Sequence, residues 1–354
     1  MKNFKFYIPV IAALLLQSCA ANPAQSSNSS TSVSTSSATS SLYSNAAFKK
    51  SFESISSEEL KKHLYIVASD EMEGRDTGSE GQKKAGRYLI SQYEKMGVSH
   101  PKSMKDYYQI VPKEALAGRR GNLPQSENIL AFIEGSEKPE EVLVISAHYD
   151  HVGMTNGEIY NGADDDGSGT VAVLEIAKAF QLAKKSGNGP KRSILFLHVT
   201  GEEHGLLGSK YYSENPIFPI ANTVVDLNID MIGRCDPGNC GKDYVYVIGS
   251  EMLSTELKKI SEQANKETVN LELNYRYDDP NDTERLYYRS DHYNFAKNGI
   301  PVAFYFDGIH EDYHKPTDTP DKIDYVALRK RAQLVFATAW EIANRKDRIV
   351  VDQK

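Results

Sequence analysis

From residue 56 to residue 343, short apolar runs of strand length alternate with stretches of helical periodicity. Ser56 followed by Glu59 forms a capping-box signature and predicts a helix through Ala68. Ser79 and Gln82 open a second helix, with apolar Tyr88, Leu89 and Tyr93 and a stop at Gly97. Compact β-branched runs at 129–133 and 142–147 predict strands, and 167–183 reads as a buried helix. A strand at 194–199, a short helix at 206–212 and a strand at 223–229 follow. Further strands are expected at 245–248, 271–275 and 302–306, and helices at 253–264, 293–297 and 325–343. Apolar runs separated by helices predict an α/β fold, a three-layer α/β/α sandwich whose largely parallel, mixed sheet is covered on both faces. Ligands collect at the carboxyl ends of strands in such folds, so polar residues just after each run are the candidates for chemistry.

The N-terminal pattern is different. Lys2 and Lys5 precede an apolar run at 7–16, then Leu16-Gln17-Ser18-Cys19. A run this short reads as an export signal rather than a membrane span. It resembles the lipobox of bacterial lipoproteins, which implies removal of residues 1–18, lipidation of Cys19 and anchoring to a bacterial membrane after export. Nearly every residue from Ser26 to Ser41 is Ser or Thr, a composition with nothing to bury against its ordering entropy. Residues 19–47 are therefore expected to be a tether, 48–345 one folded domain and 346–354 a tail.

Composition narrows the function. With 41 basic against 48 acidic residues the net charge is -7, which leaves no excess to neutralise phosphates and disfavours nucleic acid as a partner. Three cysteines are too few for a disulfide-built scaffold. Cys235 and Cys240 enclose Pro237-Gly238, a turn sequence, and export permits a disulfide between them. The protein is expected to be a monomer.

Five strand ends carry acids or histidines: His148-Tyr149-Asp150-His151, Asp164-Asp165-Asp166, Glu202-Glu203-His204, Asp230, and Asp312-Tyr313-His314. Singly, each has a plain structural explanation as a solvated turn, a helix cap or a hydrogen-bonded loop residue. Five together would place much negative charge in one crevice, which is costly unless cations balance it. Imidazole and carboxylate in combination suit zinc.

In this order, His148-x-Asp150, Gly162-Ala163-Asp164-Asp165-Asp166-Gly167-Ser168-Gly169, Glu202-Glu203, Asp230-Met231 and Tyr313-His314 resemble the signature of the di-zinc aminopeptidase family, which includes glutamate carboxypeptidases and glutaminyl cyclases. The resemblance runs from about Leu64 to Asp318 and implies a fold of the zinc-exopeptidase type. It implies two zinc ions, one held by His148 and Asp230, the other by Glu203 and His314, with Asp165 bridging. Asp150 matches the carboxylate that orients the first histidine, and Glu202 the general base acting on a metal-activated water. Tyr287, three residues before Ser290-Asp291-His292, stands where relatives often place a tyrosine that stabilises the oxyanion; Tyr288 is its rival.

The function so implied is that of an exopeptidase taking peptide substrates, foremost an aminopeptidase. Carboxypeptidase or glutaminyl-cyclase-like chemistry and a non-catalytic binding protein are the alternatives. Selectivity is expected from loops such as 153–160 and 278–289. His310-Glu311-Asp312-Tyr313-His314 also satisfies the His-Glu-x-x-His formula of single-zinc endopeptidases. That chemistry needs a continuous helix, and Gly308 and Pro316 leave room for barely two turns, so the match reads as accidental.

Overall fold

The computed structural model of the protein describes residues 42–118, 121–279 and 281–353. Cys19, the export signal and most of the expected tether lie outside the described residues. Among those described, no helix is long and apolar enough to cross a membrane.

Eight strands form the central sheet: β1 (Tyr108–Val111), β2 (Ser126–Ile133), β3 (Lys138–His148), β4 (Arg192–Val199), β5 (Thr223–Ile229), β6 (Tyr244–Ile248), β7 (Glu272–Asn274) and β8 (Val302–Phe306). Their order across the sheet is β1-β2-β4-β3-β5-β8-β6-β7. The central run β4-β3-β5-β8 is parallel, while β2 and β6 join it antiparallel at either side. The sheet is thus parallel at its centre and mixed at its margins.

Strand periodicity explains the layers. Leu143, Ile145 and Ala147 of β3 point into the larger core, under α1 (Ala46–Ser54), α2 (Ser57–Val67), α3 (Glu80–Met96), α4 (Gly169–Lys185), α6 (Thr255–Glu267) and α8 (Tyr325–Asn344). Val142 and Val144 point to the opposite face, where Tyr212 of α5 (Leu207–Glu214) and Phe295 of α7 (His292–Ala296) cover them. Helix ends follow the expected chemistry: Ser56 Oγ accepts from Glu59 N, Ser79 Oγ from Gln82 N, and Gly97 closes α3 at φ +74°.

Three features depart from expectation. The body begins before residue 48, because Tyr43 is buried against Phe48 and Asn45 caps α1. It also runs past residue 345: Ile349 is buried, and Asp352 accepts from Thr255 at the start of α6. Residues 153–160 form a β-hairpin, Gly153–Thr155 with Glu158–Tyr160, packed close against Gly74.

Two buried histidines make stability depend on pH. His198 of β4 lies 2.6 Å from the Tyr93 hydroxyl, and His292 stacks on Phe304. Burial holds each imidazole down at about 3. An unfolded histidine titrates near 6.5, so between about pH 6.5 and 3 these rings bind protons only in the unfolded chain. Their contribution is present above that window and is lost as pH falls through it, at about 1.4 kcal/mol per pH unit and ring. In urea unfolding of the zinc-free chain, the stability difference between wild type and His198→Phe should change by about that amount between pH 6 and 5. A pH-independent difference would contradict the assignment.

Candidate metal centre

The sheet fixes where the site lies. β3 is followed by α4 and then β4 on one side, and β5 pairs with β3 on the other, so the loops after β4 and β5 diverge and open a crevice at the end of β3. His148 is the last residue of β3, Thr200 follows β4, Asp230 follows β5 and Asp307 follows β8.

The three consecutive aspartates before α4 point in three directions. Asp164 accepts from Gly233 N at 2.6 Å and lies 3.3 Å from His310 Nε2. Asp166 accepts from Gly169 N and Met231 N, tying the loop to α4 and to the end of β5. Asp165, between them, turns its carboxylate into the crevice. Glycines permit this arrangement: a Cβ on Gly162, at φ +55°, would lie 2.3 Å from the Asp165 carbonyl oxygen, and one on Gly169 would lie 2.4 Å from the Asp166 carboxylate. Asp318 accepts from the Asp164 and Asp165 amides. Arg75 donates to the carbonyls of Val67, Tyr149, Asn161 and Gly162, clamping the end of β3 to the aspartate loop from beneath.

All five expected metal ligands meet here, in two groups that share Asp165. Asp165 Oδ1 is 3.2 Å from His148 Nε2, which is 3.5 Å from Asp230 Oδ1. Asp165 Oδ2 is 3.0 Å from His314 Nε2, which is 3.1 Å from Glu203 Oε2. Each oxygen of one carboxylate therefore faces a different imidazole, and each imidazole meets a second carboxylate. Ser290 Oγ donates to Asp230 at 2.6 Å and fixes that side chain.

The electrostatics fit a cation. Burial opposes charge on His314, but contact with Asp165 and Glu203 lifts its imidazole to about 10. His148 is likewise held well above its usual value against burial, by Asp230, Asp150 and Asp165. Against burial, the same contacts hold Asp165 well below the carboxylate range and bring Glu203 to about 2. A cation bound between these groups would replace the imidazole protons in balancing the carboxylates. His148 Nε2, Asp165 Oδ2 and Glu203 Oε1 are buried, and their close contacts with Asp165, His314 and His151 respectively lack hydrogen-bond geometry. A nitrogen and oxygen donor set of this kind suits zinc.

Around these ligands the remaining residues divide. Asp150 holds His148 differently from expectation: its main-chain oxygen is 3.0 Å from His148 Nδ1, its carboxylate 3.7 Å. Two residues past the strand end, the chain has turned its carbonyl back onto the ring. The carboxylate accepts from Thr77 Oγ1 and Glu202 N instead, and so also positions Glu202. Glu202 lines a cleft of about 780 Å³ with Glu203, His314, Tyr288, Arg289 and Tyr313. Burial, reinforced by Asp230, Glu203 and Asp291, pushes its carboxyl well above the usual range.

Tyr287 is a correction: it does not line this cleft. Its ring packs against Gly249 and His292, and it lines a neighbouring cavity with Met252 and Tyr277. Tyr288 and Tyr313 line the cleft, and Tyr313 stacks on His314 with ring centres 3.9 Å apart. The segment 310–314 is a series of turns with His314 at φ +54°, not a helix, and His310 faces Asp164, so the single-zinc pattern has no structural basis. His151 is fully buried, with Nδ1 2.9 Å from Glu203 Oε1. Cys235 and Cys240 are disulfide-bonded, in the loop that follows Gly233 and Arg234.

A mixed-sheet α/β protein with a histidine and carboxylate centre at its strand ends defines the class. The sequence profile of peptidase family M28 matches residues 128–339, and the chain belongs to that family. A probable leucine aminopeptidase of Arthroderma benhamiae is 30% identical over 223 residues, covering 61% of this chain and 57% of that protein. A probable zinc metalloprotease of Leptosphaeria maculans is 29% identical over 257 residues, with the same shares covered. The chain thus spans little more than half the length of these relatives. Among solved structures, a zinc aminopeptidase from Bacillus subtilis shares the fold with TM-score 0.63 at 17% identity, over 82% of this chain and 96% of that one. Porphyromonas gingivalis glutaminyl cyclase does so with TM-score 0.61 at 18% identity, over 80% and 97%.

Proposed function

We propose that the protein is an aminopeptidase that works with two zinc ions and removes apolar N-terminal residues from peptides. One observation carries the reading: the two oxygens of Asp165 face His148 and His314 separately, and Asp230 and Glu203 complete the two groups. In this reading His148 and Asp230 would hold one ion, Glu203 and His314 the other, and Asp165 would offer one oxygen to each. The bound metals supply Lewis acidity and a water acidic enough to serve as nucleophile near neutral pH.

The chain's own residues do the rest. Glu202 takes a proton from the attacking water and delivers it to the leaving amine. Asp150, accepting the Glu202 amide, sets where that carboxylate stands. The Tyr313 phenol, kept protonated by burial and by the surrounding carboxylates, faces the cluster as a donor for the developing oxyanion. His151 holds Glu203 in orientation, and Arg75 and Asp318 hold the aspartate loop.

A second cavity, of about 30 Å³, adjoins the cluster. Met231, Leu286, Phe304, Phe306 and Ile309 make it apolar, and Asp165, Glu202 and Asp230 line its side toward the cluster. The three carboxylates suit the ammonium of a substrate's N-terminus, while Arg289 stands where this cavity meets the outer cleft. This favours amino- over carboxypeptidase action. The lipobox-like run ending at Cys19 supports a location on the outer side of a bacterial membrane. A panel of aminoacyl amides should show leucine and methionine cleaved at least about tenfold faster than aspartate or glutamate, with all activity lost to chelator. Chelator-resistant turnover or a preference for acidic residues would count against the reading.

A further inference from the structure

Three residues line both the apolar cavity and the outer cleft: Glu202, Tyr313 and Arg289. The two spaces therefore meet at Arg289, beside the carboxylate proposed as base. Arg289 is exposed. Among the described residues it is the lone Arg or Lys lining either space, and its guanidinium has no ion pair or hydrogen bond. Of the other charged groups of the cleft, Glu203 meets His151 and His314 and His204 meets Asp76, while among the described residues the Glu202 carboxylate has no ion pair. An exposed guanidinium that lines the cleft without a partner is available to an anionic group of the substrate.

Resting on the aminopeptidase reading, we infer that Arg289 binds the free C-terminal carboxylate of a dipeptide and directs the enzyme toward dipeptides. With the scissile bond over Glu202, which lines both spaces, the second residue lies in the outer cleft of about 780 Å³. One residue extends the chain by at most about 3.3–3.6 Å. A residue lining both spaces is within reach of a carboxylate on the second residue, and in a dipeptide that residue carries the terminus. A longer peptide presents a neutral amide at the same place. Without Arg289, a carboxylate there would face Glu202 and Glu203 uncompensated.

The test compares kcat/KM for Leu-Gly and Leu-Gly amide in the zinc-loaded wild type, Arg289→Ala and Arg289→Lys. In wild type the dipeptide should be preferred by about two- to fivefold, the range for an ion pair at a solvated site. Arg289→Ala should collapse that ratio toward one through a higher KM for Leu-Gly, and Arg289→Lys should keep part of it. An unchanged ratio in Arg289→Ala overturns the inference while leaving the peptidase reading intact. An equal loss of kcat on both substrates also overturns it, by assigning Arg289 to the reacting atoms. A wild type that cleaves neither substrate removes the peptidase reading and this inference together.

Discussion

Glu202→Ala should lower kcat on leucine amides by about 10²–10⁴-fold while leaving the zinc content unchanged. The expectation comes from the division of labour between two adjacent carboxylates. Glu203 is held by His151 on one oxygen and His314 on the other, so it is committed to the metal centre. Glu202 lines both spaces where substrate would lie, is anchored through its backbone to Asp150, and is pushed by burial toward its protonated form. A nearby cation opposes that push, which brings the group toward the pH at which a base can both take and return a proton. Glu202→Gln keeps the shape and removes the base, so it should be as damaged as the alanine variant. Retained zinc with unchanged turnover in either variant would eliminate Glu202 as the base.

Asp165→Ala should weaken zinc binding at both positions, by at least about 100-fold, and abolish activity. Asp165 contributes one oxygen to each group, so its loss leaves His148 with Asp230 alone and His314 with Glu203 alone. Losing Asp230 or His314 should weaken one position first. Competition against a chromogenic chelator separates these cases. If Asp165→Ala weakened only one of two binding steps, the shared role would be wrong.

Much of this centre was legible in the sequence because parallel strands buried on both faces write continuous apolar runs, and the residues after those runs stand out. His148, Glu203 and Asp230 each follow one directly or within a few positions. The family resemblance supplied their roles. Residues that act through the backbone lie within the stretch of the resemblance, but nothing in the sequence assigned them a role. Arg75 binds only carbonyls, and Asp318 sits in a loop bracketed by Pro316 and Pro320 with no pattern around it. His151 carried a weak signal, three positions from His148 in the same segment, yet only the fold brings it to Glu203. β1 was missed because Gln109, buried in the strand, interrupts the apolar run between Tyr108 and Ile110. Tyr287 was misplaced because motif spacing fixes a backbone position but not a rotamer. Its ring fills the space that Gly249 leaves open, and Tyr288 takes the cleft side.

The central claim is that one carboxylate joins two zinc ions at the end of β3. Crystals of the zinc-loaded protein, measured on both sides of the zinc absorption edge, test it most directly. The account predicts two anomalous peaks about 3.5–4 Å apart, one between His148 and Asp230, one between Glu203 and His314, with Asp165 touching both. A single peak, or a second one away from Asp165, would contradict it.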